Sequence, residues 1–177
     1  MLIPGNPVPA LTLDTLGHGR FDLSRDHGEN GTLVIVYRGL HCPICIRQMG
    51  EVEAALDDFA EQGIEVIMLS TDTEPRAAET VEKSGTSRLR VGHSLSLKRA
   101  RDDWGLYISS KREGSAEADL FAEPGHFYIA PDGTLYFGWL QTTPFARPSC
   151  ADMLSGIKWA LANNYPPRGT YTGDLPD

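Results

Sequence analysis

Five consecutive apolar residues, Leu33-Val34-Ile35-Val36-Tyr37, lead through Arg38-Gly39-Leu40-His41 into Cys42-Pro43-Ile44-Cys45. The run is rich in β-branched side chains and has no polar alternation, the pattern of a strand buried on both faces. Beyond it, Cys45, Met49, Val52, Leu56 and Phe59 recur at three- and four-residue intervals. That spacing predicts a helix with one apolar stripe, and Gly63 supplies its stop. A strand covered on both faces needs a sheet with a layer on each side. The same hand-over from strand to helix sets two cysteines at the first helical turn.

The flanking segments extend the pattern. Leu11 and Leu13, the turn Gly17-His18-Gly19, and Phe21 and Leu23 predict an N-terminal β-hairpin over 7–23, followed by a polar loop from Asp26 to Gly31. Ile64–Leu69 reads as a second buried strand. Asp72 or Thr73 can cap the next helix, with Pro75 in its first turn. Leu89–Gly92 reads as a short strand, and Leu97, Ala100 and Trp104 mark a helix ending at Gly105. Residues 106–123 show no period and are expected to be mostly irregular. Phe127-Tyr128-Ile129 and Leu135-Tyr136-Phe137 flank Pro131-Asp132-Gly133, a strong hairpin signal. Met153, Leu154, Ile157, Ala160 and Leu161 line the last helix. Early strands that alternate with helices pair in parallel through right-handed crossovers, and the late hairpin adds antiparallel strands. The expected fold is α/β, a mixed central sheet with helices on both faces and an N-terminal β-hairpin. One domain is expected to fill residues 1–177, with 166–177 a surface tail.

The balance of 24 acidic against 16 basic residues argues against nucleic acid or an anionic membrane as a partner. The segment Met1-Leu2-Ile3-Pro4-Gly5-Asn6-Pro7 has no basic patch followed by an apolar run, and no apolar stretch is long enough to span a bilayer. A cytoplasmic location is the expectation. Three unevenly spaced cysteines do not make a structural disulfide framework, and in a reducing compartment a close pair is catalytic or metal-binding more often than structural.

The place of Cys42 has a chemical consequence. The unpaired N–H groups and the dipole of a helix N-terminus stabilise an anion, so a thiolate there forms at lower pH. His41 and Arg38 add positive charge if their side chains turn inward. Cys45, one turn deeper, is expected to be the less accessible sulfur, and two intervening residues let the sulfurs bond with little backbone movement. Cys42 is thus the expected attacking sulfur and Cys45 the resolving one. The alternatives are half a zinc site or two packed cysteines. Zinc usually takes four ligands, and without a second C-x-x-C or H-x-x-x-H the set would need Cys150, His126 or His93. No metal and no other cofactor is expected. Cys150 reads as a packed cysteine rather than a second resolving thiol.

The segment Tyr37-Arg38-Gly39-Leu40-His41-Cys42-Pro43-Ile44-Cys45 resembles the Y-R-G-x-W-C-P-x-C form of the peroxiredoxin-like branch (alkyl hydroperoxide reductase and thiol-specific antioxidant proteins) of the thioredoxin-like superfamily. Gly5–Leu23 resembles its N-terminal hairpin, Phe127–Gly133 its F-x-I-D-P-D-G strand and turn, and Arg147 with the following helix its late arginine and final helix. The resemblance implies a thioredoxin-like fold, Cys42 as peroxidatic cysteine, and Arg147 as a guanidinium holding thiolate and peroxide. It departs from the P-x-x-x-T-x-x-C pattern, because Gly39 stands at the threonine and Ile35 at the proline. Pro124 resembles the proline that faces the active cysteine in thioredoxins, where it is cis and its backbone neighbours pair with a substrate chain.

The leading reading is a peroxiredoxin-like oxidoreductase that reduces peroxides through Cys42, with Cys45 forming an intramolecular disulfide and a thioredoxin-type or small-thiol reductant restoring the pair. Arg38, Gly39, His41 and Pro124 are the expected substrate contacts. A second reading is disulfide exchange with a protein substrate, and a third is a metal-binding C-x-x-C module. The resemblance also allows a homodimer.

Overall fold

The computed structural model describes residues 1–176. The chain opens with a hairpin of β1 (Thr12–Thr15) and β2 (Gly19–Asp22), in which Leu13 and Phe21 face each other and are both buried. Every residue of β3 (Gly31–Val36) is buried. This strand takes in Gly31, which the polar composition of 26–31 assigned to the loop. There φ is +116°, and a Cβ would meet the Ile129 carbonyl oxygen at 2.2 Å, so only glycine fits.

The single helix expected from Cys45 to Phe59 is two, α1 (Pro43–Ala54) and α2 (Leu56–Ala60). At Ala55 the backbone N–H bonds to Val52 O at 3.0 Å, a tighter i→i−3 turn that ends α1. Val52 and Phe59 nevertheless stay wholly buried. The Glu53 carboxylate accepts the backbone N–H groups of Ser87, Arg88 and Leu89, which ties the end of α1 to a distant segment. Local spacing cannot announce such a tie.

β4 (Ile64–Leu69) follows, then α3 (Glu74–Ser84), β5 (Arg90–Gly92) and α4 (Leu97–Asp102). Thr73 is the N-cap of α3 but makes no side-chain cap bond. Asp72 is not the cap; its carboxylate is turned inward and accepts the Leu40 N–H at 2.8 Å and Arg76 Nε at 2.8 Å. Residues 106–123 are mostly irregular, as expected, but carry two short strands. β6 (Ile108–Ser110) and β7 (Leu120–Ala122) pair antiparallel as a separate two-stranded arm. Strands of three residues with a polar loop between them are too short to show a period.

β8 (Gly125–Ile129) and β9 (Leu135–Leu140) form the late hairpin, and α5 (Cys150–Asn163) closes the regular structure. Leu161, placed on the apolar face of that helix by spacing, is 37% exposed. Residues 166–176 carry no helix or strand and are mostly exposed, and Asp177 lies outside the described residues.

The main sheet runs β2-β1-β5-β4-β3-β8-β9. β3, β4 and β5 are parallel neighbours, and β8 joins β3 antiparallel. Alternation along β3 divides the interior in two. Leu33 and Ile35 pack with Met49, Phe59 and Ile157 on one face, and Val34 and Val36 with Leu13, Ala100 and Trp104 on the other. Helices therefore cover both faces of a mixed sheet, the thioredoxin-like arrangement. The carboxyl end of β3 is where the chain turns out of the sheet into α1, and the two cysteines lie there.

Candidate active site

Cys42 is the N-cap of α1, in extended backbone (φ −104°, ψ 100°), with Pro43 in the first turn. Proline costs nothing there, because its missing N–H would have had no helical partner. The Cys45 backbone N–H points back at Cys42 Sγ at 3.3 Å. All three cysteines are free thiols. Cys42 and Cys45 are both buried, at 1% and 0% exposure, so the difference in access expected between them is slight. Electrostatics separates them instead. A hydrogen bond from the Cys45 thiol, the Cys45 backbone N–H, and the guanidinium groups of Arg147 and Arg38 outweigh burial and bring Cys42 down to about 6. Burial, and then the hydrogen bond and charge of Cys42, push Cys45 far up. Cys42 is therefore the more acidic of the two thiols, and its place at the helix N-terminus favours the thiolate.

Arg147 reaches both sulfurs. Its Nη2 lies 3.0 Å from Cys45 Sγ and 3.5 Å from Cys42 Sγ. Its Nη1 donates to Ala146 O at 2.6 Å and Thr143 O at 3.3 Å, so the guanidinium is fixed by the loop that carries it. Arg38 lines the same cavity as Cys42. Its Nε lies 3.0 Å from Glu123, one Nη 3.5 Å from Glu117, and its plane sits over the Phe121 ring at 4.8 Å. Arg38, His41, Cys42, Pro43, Ile44, Ser109, Phe121 and Phe145 are among the residues lining a cavity of about 590 Å³. The β6–β7 arm forms one wall of it.

Three expected contacts behave differently from the sequence reading. His41 does line the cavity, edge-on to Phe121 at 4.5 Å between centroids. Burial and the neighbouring Arg38 charge lower its pKa, so it is a neutral ring and not the cation expected beside Cys42. Pro124 is buried and trans, and its carbonyl accepts the Gln141 N–H at 3.1 Å. That carbonyl already serves the β8–β9 pairing and is not offered to a substrate chain. Gly39 contributes no side chain. Its φ is +128°, and a Cβ would stand 2.6 Å from the Asp72 carboxylate that holds Leu40. Gly39→Thr, which would restore the familiar hydroxyl, is therefore expected to lower stability by about 2–4 kcal/mol rather than improve the site. Thermal unfolding of the variant checks this, and an unchanged Tm would refute it.

Several residues of the site escape a reading by spacing. Gln48 and His126, both buried, face each other at 2.9 Å between Nε2 atoms, behind the cysteines. Burial and the charge of Arg147 bring His126 down to about 3, which keeps it neutral. Gln48 was legible as a polar residue two turns into an apolar helix, three places after Cys45. Glu117 and Glu123 carried no signal beyond lying in the unread segment. Cys150 packs against the core beside α1 and is pushed up to about 11 by burial, as befits a packed thiol. Among the described residues no group of three or more His, Cys, Asp or Glu side chains converges to hold a metal ion. His93 and His126 do not complete a set with the cysteines.

Residues 4–137 match the AhpC/TSA family. A curated relative, the probable 1-Cys peroxiredoxin of Syntrichia ruralis, is 32% identical over 71 residues, and the match covers 39% of this chain and 31% of the relative's length. A solved structure of a mutant peroxiredoxin 6 of Arenicola marina superposes with a TM-score of 0.76 at 16% identity, covering 93% of this chain and 76% of that one. Enterococcus faecalis AhpC gives 0.72 at 14% identity, covering 99% and 100%. The two structures share the fold.

Proposed function

The chain belongs to the AhpC/TSA family, and on that footing we propose that it is a thiol-dependent oxidoreductase that reduces peroxides through Cys42, with Cys45 as the resolving thiol. The observation that carries this reading is the Arg147 guanidinium set over both sulfurs, at 3.0 and 3.5 Å, beside a cysteine at a helix N-terminus.

The Cys42 thiolate attacks one oxygen of the peroxide. The S–O bond forms as the O–O bond breaks, the attacked oxygen keeps its proton as the sulfenic hydroxyl, and the departing alkoxide or hydroxide takes one proton from solvent to leave as an alcohol or water. Arg147 and Arg38 offset the charge that develops on that oxygen. Cys42 is left as a sulfenic acid, which is uncharged. Burial of Cys45 remains, but the thiolate charge and hydrogen bond that added to it are then gone, so oxidation of Cys42 makes Cys45 more acidic. Cys45 attacks the Cys42 sulfur, the S–S bond forms, and the sulfenic oxygen leaves as water. An external thiol or thioredoxin-type dithiol then reduces the disulfide. The compact cavity and the engaged Pro124 carbonyl favour a small substrate over an extended protein chain.

The rate of the reduced protein with hydrogen peroxide, followed by tryptophan fluorescence, tests the reading. We expect a rate far above that of a free thiol. It should follow the thiolate fraction, rising about tenfold per pH unit below pH 6, reaching half its maximum near pH 6 and flattening about 1.5 pH units higher. The sign follows from the reactive form being the deprotonated one. His41 and His126, both with lowered pKa, add no rise between pH 7 and 8. A rate like that of glutathione would overturn the peroxidase reading and favour disulfide exchange, which insulin reduction would then reveal.

A further inference from the structure

We infer that Glu123, seated by Ser109, is a positioning residue that holds Arg38 against the Cys42 sulfur, and that the β6–β7 arm serves to supply it. The inference rests on Cys42 being the reactive thiolate. Arg38 sits at the end of β3, with its side chain only 13% exposed. A buried guanidinium with five donors needs partners on several sides. Three of its directions are taken by residues of the arm or its base. Nε meets Glu123 at 3.0 Å, one Nη meets Glu117 at 3.5 Å, and the plane stacks on Phe121. Beyond these partners, Arg38 and Cys42 line the same cavity, and the Cys42 charge raises the pKa of the guanidinium.

The two carboxylates differ. Glu117 is occupied by its own loop, accepting the Arg112 backbone N–H at 2.9 Å, Ser115 Oγ at 2.9 Å and Arg112 Nε at 3.2 Å. Glu123 pairs with no arginine but Arg38 among the described residues. Its other oxygen accepts Ser109 Oγ at 2.6 Å, across the β6–β7 pairing. Ser109 thus orients Glu123, and Glu123 orients Arg38. Burial alone would weaken the charge on Arg38; Glu123 and the Cys42 thiolate restore it.

Two other roles are open to Glu123, and the sign of one measurement separates them. A carboxylate acting only as a charge would oppose the thiolate, so its removal would increase thiolate. A carboxylate that merely clamps the arm would leave the thiolate unchanged. A positioning carboxylate, once removed, lets Arg38 swing away, and thiolate decreases.

The test is the ultraviolet titration of the Cys42 thiolate in the reduced full chain, with Arg38→Gln, Glu123→Ala, Glu123→Gln, Ser109→Ala and the Arg38→Gln/Glu123→Ala pair. Arg38→Gln and Glu123→Ala should each leave about threefold less thiolate at pH 6. The double variant should lose no more than Arg38→Gln alone. Ser109→Ala should move the same way by less. If Glu123→Ala does not fold, Glu123→Gln, which keeps the volume, must show the decrease. More thiolate, unchanged thiolate, or additive losses would each overturn the inference. This readout needs no turnover. A wild-type protein slow toward peroxide but showing this titration pattern would retire the peroxidase reading and leave the role of Glu123 standing.

Discussion

Replacing Cys42 with serine is expected to remove the reaction with peroxide, lowering its rate at least about a thousandfold, while the fold survives. The two halves of this expectation have separate causes. A hydroxyl at this position stays protonated at neutral pH and is a weak nucleophile, and neither guanidinium can make up that gap. Serine is, however, a favoured N-cap, able to accept the Cys45 N–H that Cys42 Sγ now accepts. The variant should therefore melt close to the wild type, so lost activity cannot be blamed on unfolding. Cys45→Ser should behave differently. It keeps the first oxidation, stops at the sulfenic acid and forms no disulfide, which mass spectrometry distinguishes. Full activity in Cys42→Ser, or a mixed disulfide trapped through Cys45 in that variant, would reverse the assigned roles.

Arg147→Gln is expected to slow the same reaction by about 10²–10³, or roughly 3–4 kcal/mol of transition-state stabilisation. Two contributions make up the loss. The thiolate becomes scarcer, because the charge 3.5 Å from Cys42 Sγ is gone. The leaving oxygen also loses a donor. A pH profile separates them, since raising the pH restores the thiolate and leaves only the second contribution. Arg147→Lys should recover little. A single ammonium cannot hold Thr143 O and Ala146 O with one nitrogen and address two sulfurs with another. A loss within threefold across the pH range would remove Arg147 from the chemistry and leave it a loop anchor.

Much of the site was readable where the signal is local. The C-P-x-C at the end of a buried strand specified a thiol at a helix N-terminus, and the structure puts Cys42 at that cap. Arg147 was nameable only through resemblance, since a lone arginine before a helix has no periodicity. What failed did so for tertiary reasons. His41 reads as a cation beside Cys42, yet burial and Arg38 keep it neutral. Pro124 resembles a cis proline that faces the cysteine, yet here its peptide bond is trans and its carbonyl accepts the Gln141 N–H. Asp72 reads as a cap, yet its carboxylate supports Leu40 and fills the space above Gly39.

The doubly buried β3, the cysteine spacing, the helix stripe and the late hairpin are legible in the order of residues alone, because each depends on neighbours within about two turns or one strand length. The charges that surround the sulfurs come together through folding. Arg147 stands 105 residues from Cys42 along the chain. The glutamates that fix Arg38 come from an arm whose three-residue strands leave no pattern to read. A thiol's acidity depends on charges and dipoles within a few ångströms in space, and chain order does not encode that distance until the sheet has folded.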